Sequence, residues 1–207
     1  MKKILGLFTL GVLFSLSVFA QGTPKADLFL GYSMLRANSG QDIPAFQMHG
    51  GAGALAINLN KYLAAEFDFG GYHNGNINNY QFDTTALTYV FGPRLSLGRS
   101  KAFDPYVHAL FGGTSLSSSI AVAPTTGAGT SATSNRLAAS QTNFAMAIGG
   151  GLDMQLGKHV SARLIQLDYF LTRLEAPSTT NLSGPSSNRN QNNFRCSIGI
   201  VFNFGGE

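Results

Sequence analysis

The chain has 207 residues, 44% of them hydrophobic and 12% charged, with 14 Lys and Arg against 10 Asp and Glu, 25 Gly, 16 Phe, 7 Tyr, one Cys and no Trp. A charged fraction about half the usual ~25% argues against a disordered tail or an ordinary cytosolic enzyme, and abundant Gly without a three-residue period excludes collagen. A single Cys provides no disulfide framework or cysteine zinc site, and basic residues scattered along the chain make no nucleic-acid surface.

The first element is not part of the fold. Lys2 and Lys3 precede an apolar run over 4–14, and Val18-Phe19-Ala20 stands before Gln21 with small side chains at the positions a signal peptidase reads. This predicts a cleavable signal peptide over 1–20 and a single domain over 21–207. Removal of Lys2 and Lys3 leaves 12 basic residues against 10 acidic. No later stretch of about 18 apolar residues follows, so the exported protein is either soluble outside the cytoplasm or crosses a membrane as strands.

From there the hydrophobic period is two rather than 3.6. The first two strands are predicted over 26–36 and 46–59, with weak alternation. The third, 63–73, is clean: Leu63, Ala65, Phe67 and Phe69 alternate with Ala64, Glu66, Asp68 and Gly70. The fourth, 85–98, sets Leu87, Tyr89, Phe91, Pro93, Leu95 and Leu97 against Thr88, Val90, Gly92, Arg94 and Ser96. Weaker strands follow over 105–116, 143–157 and 160–174, and the eighth, 194–204, alternates Phe194, Cys196, Ile198, Ile200, Phe202 and Phe204 with polar or small residues. Strands of about eleven residues suit a tilted membrane crossing, whereas strands of soluble sandwiches are nearer five or six.

The connections alternate as well. Those at 60–62, 99–104 and 158–159 are short; those at 37–45, 74–84, 117–142 and 175–193 are long, the third being a low-complexity Ser/Thr/Ala/Gly run expected to be mobile. Long loops gathered at one end are a habit of outer-membrane barrels, and an even strand count lets the sheet close without edges. The predicted fold is all-β: an eight-stranded antiparallel up-and-down transmembrane β-barrel.

On this pattern the chain resembles the small eight-stranded outer-membrane barrels typified by the transmembrane domain of outer membrane protein A. The resemblance implies a cell outer membrane location with both termini periplasmic. It also implies contact with outer-membrane lipid and lipopolysaccharide, folding by the barrel assembly machinery, a monomeric state, and no cofactor. Two departures stand out. Phe202-Asn203-Phe204 is followed by Gly205-Gly206-Glu207 where such barrels end on an aromatic, and nothing corresponds to the peptidoglycan-binding domain of longer members, so that role is not carried over.

Eight strands enclose a lumen that side chains can fill, which disfavours an open porin. Glu66, Arg94, His108 and Asp153 lie four or five residues from the short turns with inward parity, in one predicted layer roughly 10 Å above the rim at ~3.3 Å per residue. Asp68 and Asp168 join this set of lumen charges. Buried ions must be paired, so the layer is expected to be a structural plug, with a gated ion path or a binding site as alternatives. Glu66 and Arg94 are expected to pair with each other across the third and fourth strands. In the seventh strand Arg163 has the opposite parity to Gln166 and Asp168; the expectation is that Asp168 points inward while Arg163 snorkels to the periplasmic headgroups or sits below a bulge.

No catalytic pattern emerges. His49, His73, His108 and His159 lack metal-ligand spacing, and there is no Gly-x-Ser-x-Gly elbow or phosphate-binding loop. Cys196 has lipid-facing parity and is expected to be inert. The leading expectation is a non-enzymatic outer-membrane barrel with a structural or surface-interaction role and an unidentified loop partner. A small-barrel transporter or lipid-modifying enzyme, and a soluble exported barrel binding a small apolar ligand, remain the alternatives.

Overall fold

The computed structural model describes residues 25–38, 45–75, 82–98, 102–121, 136–174 and 189–205. The signal peptide expected over 1–20, residues 99–101 of the 99–104 turn and the central parts of the long loops lie outside the described residues. Eight strands run in chain order: β1 (Ala26–Ala37), β2 (Phe46–Asn58), β3 (Leu63–Asn74), β4 (Phe82–Ser96), β5 (Phe103–Ala121), β6 (Arg136–Gln155), β7 (Val160–Leu174) and β8 (Arg189–Phe204). Each pairs antiparallel with its sequence neighbours, and β1 pairs with β8 from Ala26↔Phe204 to Arg36↔Phe194, closing the barrel. Among the described residues no helix is long and apolar enough to cross a membrane, a statement that says nothing about strands.

The two-residue period sorts side chains as the sequence implies. Leu30, Phe67, Phe69, Leu87, Phe91 and Leu95 stand exposed on the outside, and Glu66, Asp68, Thr88, Arg94 and Ser96 are buried inside. A soluble barrel buries its apolar face and wets its polar one; here the arrangement is reversed, as a hydrocarbon surround requires.

The short turns are built by side-chain capping. At the β2–β3 turn Asn60 Oδ1 accepts from the backbone N–H groups of Tyr62 and Leu63, both at 2.8 Å, and the Leu59 N–H donates to Leu63 O at 2.9 Å. At the β4–β5 turn Asp104 Oδ1 accepts from the Gly98 N–H at 3.0 Å. The described chain ends meet at the same end of the barrel, where the Lys25 N–H donates to Phe204 O at 2.7 Å.

At the other end β4, β5, β6 and β8 extend further than their sequence patterns indicate. The ladder between β5 and β6 continues to Ala121↔Arg136, taking in both flanks of the 117–142 segment expected to be a loop. Two-sided polar strands carry no alternation, so their pairing leaves no hydrophobic signature.

Candidate functional site

The side chains that fill the lumen are positioned by backbone choices on β6 and β7. On β6, Gly149-Gly150-Gly151 leaves room on the inner face: a Cβ on Gly149 would lie 2.2 Å from Asp168 Oδ1, and one on Gly151 2.7 Å from the Tyr106 hydroxyl. On β7 a bulge intervenes between Arg163 and Gln166, where the register with β8 shifts. Leu164 and Ile165 therefore both stay exposed, at 42% and 41%, while Arg163 and Gln166 both turn inward. Of the two placements expected for Arg163, contact with the headgroups and a position below a bulge, the structure has the second: Arg163 is 2% exposed, and the bulge resolves the parity conflict with one extra residue.

Each residue of the anticipated set is buried: Glu66, Asp68, Arg94, His108, Asp153 and Asp168 are all 5% exposed or less. They are joined by Arg163, Gln166, Arg195 and Tyr106 into one connected network. Arg94 Nη2 donates to Asp153 Oδ2 at 2.8 Å. Asp153 also receives both Nε and Nη2 of Arg163, at 2.9 and 3.1 Å, in a bidentate pair. Arg163 Nη1 donates to Gln166 Oε1 at 2.6 Å, the same oxygen that accepts the Tyr106 hydroxyl at 3.0 Å, and Gln166 Nε2 passes the chain on to Asp168 Oδ2 at 2.8 Å. From Asp168 two branches diverge. Arg195 Nε donates to Asp168 Oδ2 at 2.7 Å, and its Nη1 and Nη2 grip Asp68 at 2.6 and 3.0 Å. His108 Nε2 bonds Asp168 Oδ1 at 2.8 Å and His108 Nδ1 bonds Glu66 Oε2 at 3.0 Å.

The charges balance within this group. Four carboxylates face three guanidiniums and one imidazole, and both imidazole nitrogens meet carboxylate oxygens. An ionised carboxylate only accepts, so this arrangement suits a ring that donates from both nitrogens. Aromatic faces supply further cation contacts: the Arg94 guanidinium carbon lies 3.8 Å from the Tyr106 ring centroid, and that of Arg163 lies 4.2 Å from Phe29 and 4.7 Å from Tyr106.

The pairing differs from the sequence expectation at one point. Glu66 and Arg94 occupy neighbouring strands but are offset, Ala64 standing opposite Arg94 and Gly92 opposite Glu66. Arg94 takes Asp153 and Glu66 takes His108 instead. Glu66 Oε1 and Arg94 Nε are buried without a hydrogen-bond partner among the described residues.

Apolar side chains seal the network. Toward the loop end Leu35, Met48, Tyr72, Val90, Leu110 and Phe170 form a continuous cluster above it. Beside Arg163 the Phe29 ring packs with Ala52, Ala54 and Val201, and nearer the short turns Asn58 Nδ2 donates to Asp27 Oδ2 at 3.0 Å.

Solved structures share this architecture. Neisserial surface protein A aligns over 89% of this chain and 100% of its own, with a TM-score of 0.56 and 12% identity. Ail, the attachment invasion locus protein of Yersinia pestis, covers 89% of this chain and 99% of its own at a TM-score of 0.54 and 13% identity. The outer membrane protein OprG of Pseudomonas aeruginosa covers 90% and 98% at a TM-score of 0.52 and 10% identity. The chain has the fold of the small outer-membrane barrels. No protein-family model matches it, and no curated protein does.

Within that fold Arg195, Arg163, Gln166 and Tyr106 are the network members outside the anticipated set. Arg195 has inward parity in a clean strand and stands opposite Asp168, so parity and height together could have found it. Cys196, next to it, is half-buried and in no disulfide, and pairs in the ladder with Leu167 and Met34 on the outward parity.

Proposed function

We propose that the protein is a non-catalytic outer-membrane barrel, locked shut by its charged lumen, whose work is structural or interactive. The observation that carries this reading is the continuous network from Arg94 to Asp68, capped by the Leu35–Phe170 cluster. It fills the cross-section of an eight-stranded barrel that has little room to spare. His108 between Glu66 and Asp168 has the composition of an acid–base group but is only 4% exposed, which supports a structural role. The short turns and both chain ends face the periplasm on this reading, and the long loops face outward. Outer-membrane lipid, lipopolysaccharide in the outer leaflet, and the barrel assembly machinery during folding are its partners. Complete closure leaves no sheet edge that calls for a second copy, so it acts as a monomer.

Fractionation followed by proteinase K treatment of intact cells tests this placement. The expected result is outer-membrane material cleaved within 122–135 and protected at the Asn60–Tyr62 turn. Recovery in the soluble periplasmic fraction would overturn the membrane assignment, and cleavage at Lys61 from outside would invert the orientation.

A further inference from the structure

The outer wall carries a notch whose shape follows from the ladder between β3 and β4. Outward-facing pairs there read Leu63↔Leu95, Ala65↔Pro93 and Phe67↔Phe91, a small pair bracketed by large ones. Pro93 contributes a short, rigid ring that cannot extend over the gap. The result is a groove of about 190 Å³ lined by Leu59, Leu63, Ala65, Phe67, Phe91 and Pro93. Toward mid-barrel the stacked rings of Phe67 and Phe91 close it, their centroids 6.2 Å apart. The other end reaches the β2–β3 turn, where exposed Lys61 places its Nζ 4.8 Å from the Tyr62 ring centroid. A Lys and a Tyr at the edge of an apolar belt occupy the level of lipid headgroups.

We propose that this notch holds one acyl chain of an anionic glycerophospholipid from the leaflet on the short-turn side, with Lys61 contacting its phosphate. The proposal rests on the membrane-spanning reading above. An apolar slot ending at a cation complements a molecule that joins hydrocarbon to a negative head. Ordinary annular lipid slides over a convex barrel wall; a chain seated in this groove is bounded by Leu59 and Leu63 toward the turn and by the Phe67–Phe91 stack toward mid-barrel.

The test is native mass spectrometry of protein folded into vesicles of equal phosphatidylglycerol and phosphatidylcholine and then extracted in mild detergent. The expected result is one retained lipid, phosphatidylglycerol favoured roughly fivefold, as one Lys at a membrane surface provides. Ala65→Phe should abolish retention, Ala162→Phe on β7 should leave it intact, and Lys61→Gln should keep a lipid but lose the headgroup preference. Absence of any retained lipid, or retention unaffected by Ala65→Phe, would overturn the site; an unchanged preference in Lys61→Gln would overturn its headgroup contact. Heat-dependent gel mobility reports folding separately, so failure to enter vesicles would count against the membrane reading and not against the notch.

Discussion

Replacing Arg195 by Met should destabilise the barrel more than any single change on its outer wall. Arg195 is fully buried and holds two carboxylates at once, Asp68 through both terminal nitrogens and Asp168 through Nε. At ~4 Å and an effective dielectric of ~20, each such pair is worth about 4 kcal/mol before desolvation. Met returns the desolvation cost of the guanidinium, but Asp68 is then left buried without its cation, while Asp168 keeps His108 and Gln166. The net loss expected is about 3 to 5 kcal/mol. Adding Asp68→Leu restores equality, with Glu66, Asp153 and Asp168 set against Arg94, Arg163 and His108, and should recover most of the loss, since a buried ion pair can often be exchanged for apolar groups at little cost. Urea titration of folding in phospholipid vesicles, followed by gel mobility, measures both variants. A single variant as stable as the parent, or a double variant no better than the single, would refute the argument from charge balance.

Two other outcomes follow from the same geometry. Phe91 is 60% exposed on the lipid-facing side, so Phe91→Arg should cost about 2 to 4 kcal/mol in vesicles if it lies near the midplane, measured by the same titration; no change would mean that this face does not meet hydrocarbon. A double-mutant cycle on Arg94 and Asp153, each replaced by its neutral amide or by Gln, should give a coupling of about 1 to 3 kcal/mol that exceeds the coupling of Arg94 with Glu66; the reverse order would restore the pairing that parity alone suggested.

How much of this was legible in the sequence depends on where each residue meets lipid. On β3, β4 and β8 one parity is apolar because hydrocarbon demands it, and the membrane-level parts of these strands could be read off Phe67, Phe91 or Ile198, β3 almost to the residue. Where β5 and β6 rise past Ser117 and Thr142 the sequence turns to Ser, Ala and Thr with only isolated apolar residues, the backbone pairing persists, and the period that reveals a strand disappears. The bulge on β7 is written as two adjacent large apolar residues, Leu164 and Ile165, between inward polar ones; that doubling is the signal, and it explains why parity counting set Arg163 against Asp168. Arg195 escaped the anticipated layer because height was counted from the short turns. It stands high on β8, level with Asp168. The choice of partners, Arg94 with Asp153 rather than Glu66, depends on how long side chains cross a lumen emptied by Gly149 and Gly151, and no one-dimensional pattern encodes that reach.

The central claim is that the lumen is closed, and planar-bilayer recording of the folded full-length protein tests it most directly. The network from Arg94 through Asp153, Arg163, Gln166, Asp168 and Arg195 to Asp68 runs across the lumen, so on the proposed plug the untreated protein should insert without discrete current steps at moderate voltage. A steady ohmic conductance in the parent protein, with ion selectivity that shifts when Asp68 or Arg94 is neutralised, would show that ions pass through the charged layer and would contradict the plug.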